Sequence, residues 1–397
     1  MLTAPLRSAL AALGVIVCGL AGRAALDKVL AMRGGGELVA QWAQLFSVIE
    51  LVAGPALAGV GTGVSVVVAQ SADANVQRSA LRHALCIGLL VSAAVGLAAM
   101  PLAWLAPSHA GWLGLGAIVG WLTVVHGTFS GYWLGLKRRG WMLLLALALA
   151  VAPLAAALVA PPAFLLPLVA AAHALPALAL LPFVPRGALP RPQALRAYVL
   201  PGLSIGILSP ASTYLARALV ADALSWHDAG VLQALWRVSD WVAAIAAGVL
   251  SLFWLPRLGA AAGMAHFATE LRRATLATAL PSAAVLALLL AVHGPALALF
   301  YDARFSASSI AVALLFGGVA MRVLSWAGLF ALYARRRTVA IAVGELLSLP
   351  LFALLVAAWP RPLTLEAVCG AWLLAFSAYA AFNLAAALAP GRERATA

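Results

Sequence analysis

The chain has 397 residues, of which 65% are hydrophobic and only 9% are charged, and its formal net charge is +13. Soluble globular domains are about 45–50% apolar and about 25% charged, so an ordinary soluble enzyme is excluded. A disordered chain is excluded by the high hydrophobicity. The apolar runs are continuous rather than alternating, which excludes a membrane β-barrel and predicts an all-α polytopic membrane protein.

Apolar stretches long enough to cross a bilayer, about 20 residues each, recur along the whole chain. The first resembles a signal peptide, but Arg23, Asp27 and Lys28 follow it and the apolar pattern resumes up to Met32, so we interpret it as an uncleaved membrane helix. The predicted spans are 8–32, 39–69, 82–105, 111–136, 141–160, 162–184, 198–220, 229–256, 275–295, 307–333, 339–358 and 366–389.

The basic residues test this count of twelve spans, because cytoplasmic segments carry an excess of Lys and Arg. With both termini cytoplasmic, 17 of the 25 Lys and Arg fall inside and four fall outside, while four lie within spans. The inside set is Arg7, Arg78, Arg82, Lys137, Arg138, Arg139, Arg186, Arg191, Arg196, Arg257, Arg272, Arg273, Arg335, Arg336, Arg337, Arg392 and Arg394, and the outside set is Lys28, Arg33, Arg304 and Arg361. This clustering between apolar runs indicates membrane topology and no nucleic-acid partner.

A basic, proline-containing segment at 186–197 predicts two six-helix lobes, 1–185 and 198–397, joined by a cytoplasmic linker. Two six-helix bundles are a known plan of transporters. The connections leave no room for a soluble catalytic domain, and the chain has no phosphate-binding loop, dinucleotide fingerprint or zinc-ligand spacing. Cys18, Cys86 and Cys369 all lie in apolar runs. The sequence therefore predicts a protein that is not an enzyme and has no cofactor, metal or catalytic residues.

Seven ionisable residues lie at mid-span, where each costs about 2.5–3.5 kcal/mol on the insertion scale. They are Arg23, Glu50, Arg217, Arg237, Asp240, Arg322 and Glu345. We expect them to face a bundle interior or a wet cavity. Two interpretations stay open at this point: structural pairing, for example of Arg237 with Asp240 on one helix or of Arg322 with Glu345 across helices, and recognition of an anionic ligand by the four arginines.

The stretch 217–240, RALVADALSWHDAGVLQALWRVSD, resembles the Wzx-type lipid-linked oligosaccharide flippases, most closely the branch of O-antigen translocases and lipid III flippases of enterobacterial common antigen. The matching positions are Arg217, Ser225, Trp226, Asp228, Gly230, Gln233, Ser239 and Asp240, then Leu255–Pro256, Gly318, Arg322 and Glu345, with Lys28–Ala31 and Gln44 near the start. The family belongs to the multidrug/oligosaccharidyl-lipid/polysaccharide (MOP) exporter superfamily.

The resemblance implies two lobes around a central cavity that opens alternately to each side of a bacterial inner membrane. The implied substrate is an undecaprenyl-diphosphate-linked oligosaccharide, such as an O-antigen unit in lipopolysaccharide biosynthesis. A polysaccharide polymerase and a chain-length regulator are implied partners, besides membrane lipids. The implied roles are substrate binding by Arg217, Arg237, Arg23 and Arg322, and charge balance or ion coupling by Asp240, Glu50 and Glu345. A multidrug or cation antiporter of the same superfamily and a lipid II flippase remain the alternatives.

Overall fold

The computed structural model describes residues 4–99, 110–186, 195, 199–261, 265–335 and 337–389, and every regular element in these ranges is a helix. Two compact units are formed by residues 1–214 and 215–397. Of the predicted linker 186–197, only Arg186 and Leu195 lie among the described residues. The two-lobe division at that linker stays a prediction.

The N-terminal unit contains the first six helices and most of the seventh. They are α1 (Ala4–Ala56), α2 (Thr62–Gln70), α3 (Ala74–Ala99), α4 (Ala110–Gly135), α5 (Arg139–Val159), α6 (Leu165–Leu180) and α7 (Val199–Ala223), and a π-helical turn, Leu57–Gly61, joins α1 to α2. The α1 helix is kinked at Gly35, whose φ of 65° and ψ of −155° are open to a residue without a Cβ. This kink lies between the first two predicted spans, 8–32 and 39–69.

The C-terminal unit begins in the last turns of α7 and contains eight further helices. They are α8 (Trp226–Val249), α9 (Leu255–Ala261), α10 (Phe267–Ala291), α11 (His293–Phe300), α12 (Ser309–Ala334), α13 (Thr338–Leu346), α14 (Leu349–Ala358) and α15 (Leu365–Leu388). Side-chain oxygens of Ser225, Ser308 and Thr364 accept backbone N–H groups at the starts of α8, α12 and α15. These caps fix where the three helices begin.

Nine helical segments among the described residues are long and apolar enough to cross a membrane. One of them, Val17–Gln70, has 54 residues. At 1.5 Å per residue it is about 80 Å long, more than twice the hydrocarbon thickness of about 30 Å, and it holds two predicted spans on either side of Gly35. The α7 helix and the α8–α9 pair cover the two remaining predicted spans, so each of the twelve, in its described part, lies largely in helical chain. The protein is therefore a multi-pass membrane protein.

A stripe of glycines on α4 brings its backbone against α1 and α2. Its members are Gly116, Gly120, Gly127, Gly131 and Gly135. A Cβ on Gly120 would lie 2.8 Å from the Ile49 carbonyl oxygen, and one on Gly135 would lie 2.7 Å from that of Ser65. Small residues allow such close approach of membrane helices. Since the contacts advance together along both chains, α4 runs parallel to the chain after the Gly35 kink.

Other contacts give the same alternation of directions. Along the first half of α1, Gly22 meets Ala150 and Arg33 reaches Ala157, so this half runs parallel to α5. On the second half of α1, the Gln44 side chain donates to the Tyr214 carbonyl oxygen of α7. Further along α1, Gly54 meets Gly206, which comes before Tyr214 on α7, so these two helices are antiparallel. Predicted spans one and five thus form a parallel pair, and so do spans two and four. Spans two and seven form an antiparallel pair. This is the pattern that successive crossings in opposite directions require.

Candidate functional site

Arginines at helix ends act as caps, and they are distinct from those at mid-span. Arg33 donates to the carbonyl oxygens of Ala157 at 2.5 Å and Ala160 at 2.7 Å, at the end of α5. The last carbonyls of a helix lack helical partners and carry the negative end of its dipole. Arg33 therefore stabilises the end of α5.

The described arginines of the predicted cytoplasmic Arg335–Arg337 triplet have the same role at the end of α15. Arg335 donates to Ala387 at 2.8 Å, and Arg337 donates to Ala389 at 2.6 Å. Desolvation and the neighbouring Arg337 lower the pKa of Arg335 from its usual value, but a guanidinium remains charged in proteins. These two cations are occupied by the backbone, so the candidate site is built from the mid-span charges.

The Arg217 side chain lies on α7 and is only 3% exposed. Its Nη2 donates to the Gln233 side-chain oxygen of α8 at 2.8 Å, and its Cζ lies 5.9 Å from the centre of the Trp236 ring. The Gln233 amide oxygen accepts this hydrogen bond and so orients the guanidinium. Both α8 residues lie within the stretch that carries the family resemblance, and the structure joins them to Arg217.

Asp240 of α8 forms an ion pair with Arg322 of α12, at 2.9 Å between Oδ1 and Nη1. The Arg322 side chain is 22% exposed and that of Asp240 is 43% exposed. The guanidinium carbon also lies 5.0 Å from the Trp326 ring centre and 5.7 Å from that of Phe376. Sequence alone suggested Arg322 with Glu345 as a cross-helix pair, but Arg322 is paired with a residue 82 positions away in the chain.

Glu345 is placed at the end of α13, immediately before the membrane segment breaks at Leu347–Ser348. Its Oε1 accepts a 2.8 Å hydrogen bond from the Tyr379 hydroxyl of α15. Asn383, one turn further along α15, is fully buried. Within the described ranges, Glu345 forms no ion pair with Arg322.

Aromatic rings connect the surroundings of Arg217, Arg322 and Glu345. Trp236 packs on Trp372 at 5.3 Å between ring centres, Trp372 on Phe376 at 4.5 Å, and Phe376 on Tyr379 at 6.1 Å. We call this the C-terminal charge network: the side chains of Arg217, Gln233, Trp236, Asp240, Arg322, Glu345, Trp372, Phe376 and Tyr379. The sequence reasoning missed its α15 members, although positions 372, 376 and 379 have the i, i+4, i+7 spacing of one helix face.

The remaining predicted residues lie elsewhere. Arg237 is half-buried on α8. Arg23 and Glu50 are exposed residues of α1 in the N-terminal unit, and the Arg23 guanidinium carbon lies 5.4 Å from the centre of the Phe46 ring. The next ring in contact is His173 of α6, 5.6 Å from Phe46. Each unit thus contains mid-span arginine next to aromatic rings.

No protein-family model matches the sequence, and no curated protein matches it. Solved structures do match. An inward-facing multidrug resistance MATE family transporter of the MOP superfamily aligns over 94% of both chains with a TM-score of 0.73 and 14% identity. An outward-facing one aligns over 96% of this chain and 94% of its own, with a TM-score of 0.62 and 14% identity.

A third similar structure is a MOP superfamily transporter from Pyrococcus furiosus Vc1. It aligns over 95% of this chain and 94% of its own, with a TM-score of 0.63 and 14% identity, and its binding pocket is described as having a reverse polarity that suggests a different function. At these identities the likeness establishes the fold. The chain has the all-helical fold of the MATE transporters, and these similar structures are transporters rather than enzymes.

Proposed function

We propose that this protein is a flippase that moves an undecaprenyl-diphosphate-linked oligosaccharide from the cytoplasmic to the periplasmic leaflet of a bacterial inner membrane. Its fold supports transport by alternating access, because similar structures include inward-facing and outward-facing conformations. The resemblance of the 217–240 stretch to Wzx-type flippases supports the substrate class. Rocking of rigid helical bundles about a fixed site is the usual form of this movement.

The observation that carries the proposal is the burial of Arg217 in a membrane-spanning helix, next to the Gln233 amide and the Trp236 ring. A charged side chain within a membrane span is costly, and such residues typically mark substrate or ion pathways. Its planar fork suits a phosphate, to which it can donate two parallel hydrogen bonds. We assign to Arg217 the first contact with the substrate diphosphate.

The charge balance of the C-terminal unit supports an anionic substrate. Arg217, Arg237 and Arg322 lie at mid-span against two acids, Asp240 and Glu345, and a diphosphate brings about two negative charges whose desolvation fixed cations must offset. A cationic drug would require an excess of acids at mid-span, whereas these residues carry an excess of arginines. In the N-terminal unit, Arg23 is assigned the same kind of contact, with Glu50 as a balancing acid.

Glu345 is the acid that we assign to ion coupling. It ends a half-helix at a break within a membrane segment, a feature at which transporters bind their coupling ions. The Tyr379 hydroxyl and the fully buried Asn383 amide supply further oxygens on the neighbouring helix. Asp240, which is already paired with Arg322, is assigned charge balance when no substrate is bound.

One contact favours the alternative of a multidrug or cation antiporter. In the Asp240–Arg322 pair the acid is the more exposed partner, at 43% against 22%, and an exposed carboxylate attracts cations. A lipid II flippase shares the diphosphate chemistry and differs in the glycan. A polymerase and a chain-length regulator are proposed partners on the basis of the family resemblance.

The test follows the lipid-linked glycans in the native host. We expect deletion of the gene to accumulate undecaprenyl-diphosphate-linked oligosaccharide on the cytoplasmic side, and the wild-type gene to cure it. Arg217→Ala, expressed at the wild-type level, is expected not to cure it. The control Arg273→Ala removes an exposed arginine that is paired with Glu270, and it is expected to restore export.

Normal surface glycan and no lipid-linked accumulation in the deletion strain, checked in a host without a second flippase, would refute the flippase proposal. Sensitivity of that strain to cationic drugs would then favour the antiporter. Loss of the Arg217→Ala protein itself would indicate a structural role for the arginine.

A further inference from the structure

A cavity of about 310 Å³ lies in the N-terminal unit, and its lining includes none of the residues assigned to transport. It is formed by the first turns of α3 and α5, the last turns of α4 and α6, and the chain just after α6. Its buried wall includes Leu81, Phe129, Trp133 and Leu180, which also pack together in a hydrophobic cluster. This wall is therefore part of the packed interior of the unit.

Two arginines and a hydroxyl supply the polar part of the lining. Arg78 comes from the start of α3, Arg138 immediately precedes α5, and Tyr132 lies near the end of α4. Both arginines are exposed, so they lie at the opening of the cavity. They belong to the clusters that the charge distribution places on the cytoplasmic side, which puts this cavity at that surface of the membrane.

Aromatic rings form the outer part of the wall. Trp141 stacks on Trp133 with 5.6 Å between ring centres and 25° between planes. Trp141 is 46% exposed and Phe183 is 65% exposed. Amphipathic rings of this kind occupy the headgroup level of a bilayer. The cavity thus combines a cationic opening, an interfacial aromatic edge and an apolar floor.

We propose that this cavity binds the phosphate-bearing headgroup of an anionic lipid. Two guanidinium groups match a phosphate diester or monoester, and basic pockets between membrane helices on the cytoplasmic side are suited to anionic headgroups. The apolar floor accommodates the first carbons of the lipid chains. A free phosphate ion would make no use of this floor. The site lies wholly in the N-terminal unit and needs no transport, so it stands whether or not the protein is a flippase.

The experiment measures lipid binding to the purified full-length protein in a neutral detergent by native mass spectrometry. The probes are phosphatidylglycerol and, as a neutral control, phosphatidylcholine. We expect a saturable first adduct of phosphatidylglycerol that phosphatidylcholine does not form at the same concentration. Each arginine is expected to contribute about fivefold to affinity, from about 1 kcal/mol per basic residue near an anionic lipid. The double variant Arg78→Gln/Arg138→Gln should bind about 25-fold more weakly.

The matched control is Arg82→Gln/Arg139→Gln, which removes the same charge from the same surface but changes no residue of the cavity lining. We expect it to retain binding within about threefold. Equal loss in both double variants would show attraction to a charged surface rather than a site, and would overturn the proposal. Equal affinity of the wild type for the two phospholipids would also overturn it. Unchanged melting temperatures keep either result from being attributed to unfolding.

Two further probes identify the source of the phosphate. Inorganic diphosphate is expected not to displace the lipid at tenfold excess, and displacement would mean a soluble-anion site, against the proposal. Undecaprenyl phosphate is expected to bind at the same arginines. Binding tighter than that of phosphatidylglycerol would assign the cavity to a polyprenyl carrier, and weaker binding would assign it to bulk membrane lipid; both support an anionic-lipid site.

Discussion

The Asp240–Arg322 pair allows a quantitative prediction through a double-mutant cycle. Asp240→Ala removes one 2.9 Å charged hydrogen bond, whereas Arg322→Ala removes that bond and two ring contacts, to Trp326 and Phe376. With side chains 22% and 43% exposed, solvent screens the pair. We therefore take about 1 kcal/mol for it, near the upper limit of exposed pairs and below that of buried ones.

Each cation–π contact adds about 0.5–1 kcal/mol at a partly exposed site. Asp240→Ala is therefore expected to lower the free energy of unfolding by about 1 kcal/mol and Arg322→Ala by about 2–3 kcal/mol. The double variant should be less stable than Arg322→Ala by no more than a few tenths of a kcal/mol. Its loss is then about 1 kcal/mol smaller than the sum of the two single losses, and this difference is the coupling energy.

Thermal unfolding in one detergent compares the stability of the four purified proteins of the cycle: wild type, the two single variants and the double variant. Additive losses would show that the two side chains do not interact in the folded protein. A larger loss for Asp240→Ala than for Arg322→Ala would refute the assignment of the ring contacts. The conservative variant Arg322→Lys keeps the charge and loses the planar stacking group, so we expect it to fall between wild type and Arg322→Ala.

Three further outcomes are expected. Gly120→Ala should lower the free energy of unfolding by about 1–3 kcal/mol, because its Cβ would lie 2.8 Å from a carbonyl oxygen of α1. Gly114→Ala is the control, since a Cβ there meets nothing within 4 Å. Equal melting temperatures of the two variants would contradict the packing of α4 on α1. Arg337→Ala should speed hydrogen exchange in the last turn of α15, since it loses charged bonds worth about 1.5–3 kcal/mol each; unchanged exchange would mean no capping role. Tyr379→Phe should cost about 1.5–3 kcal/mol through its bond to Glu345 and weaken any cation dependence of transport, whereas an unchanged melting temperature would argue against that bond.

The sequence by itself determined the class of the fold and the number of crossings. Transfer into lipid depends on the length and hydrophobicity of each segment, and these are local properties of the chain. The Gly35 kink and the Ser225, Ser308 and Thr364 caps are local as well, so the starts of α8, α12 and α15 fall within a few residues of the predicted spans. The unusual residues could likewise be identified, because a mid-span charge is unfavourable wherever its partner lies.

Only the tertiary structure decided the partners of those residues. Arg322 is paired with Asp240, 82 residues away, and Glu345 is bonded to Tyr379 on a helix that sequence reasoning had not singled out. The Arg335–Arg337 run looked like a topology signal, yet Arg335 and Arg337 bind the carbonyls that end α15. Hydropathy specifies that a helix crosses the membrane but not its rotation or its neighbours, which packing against other helices sets. Pairing depends on that rotation, so these contacts appear only once the helices are packed.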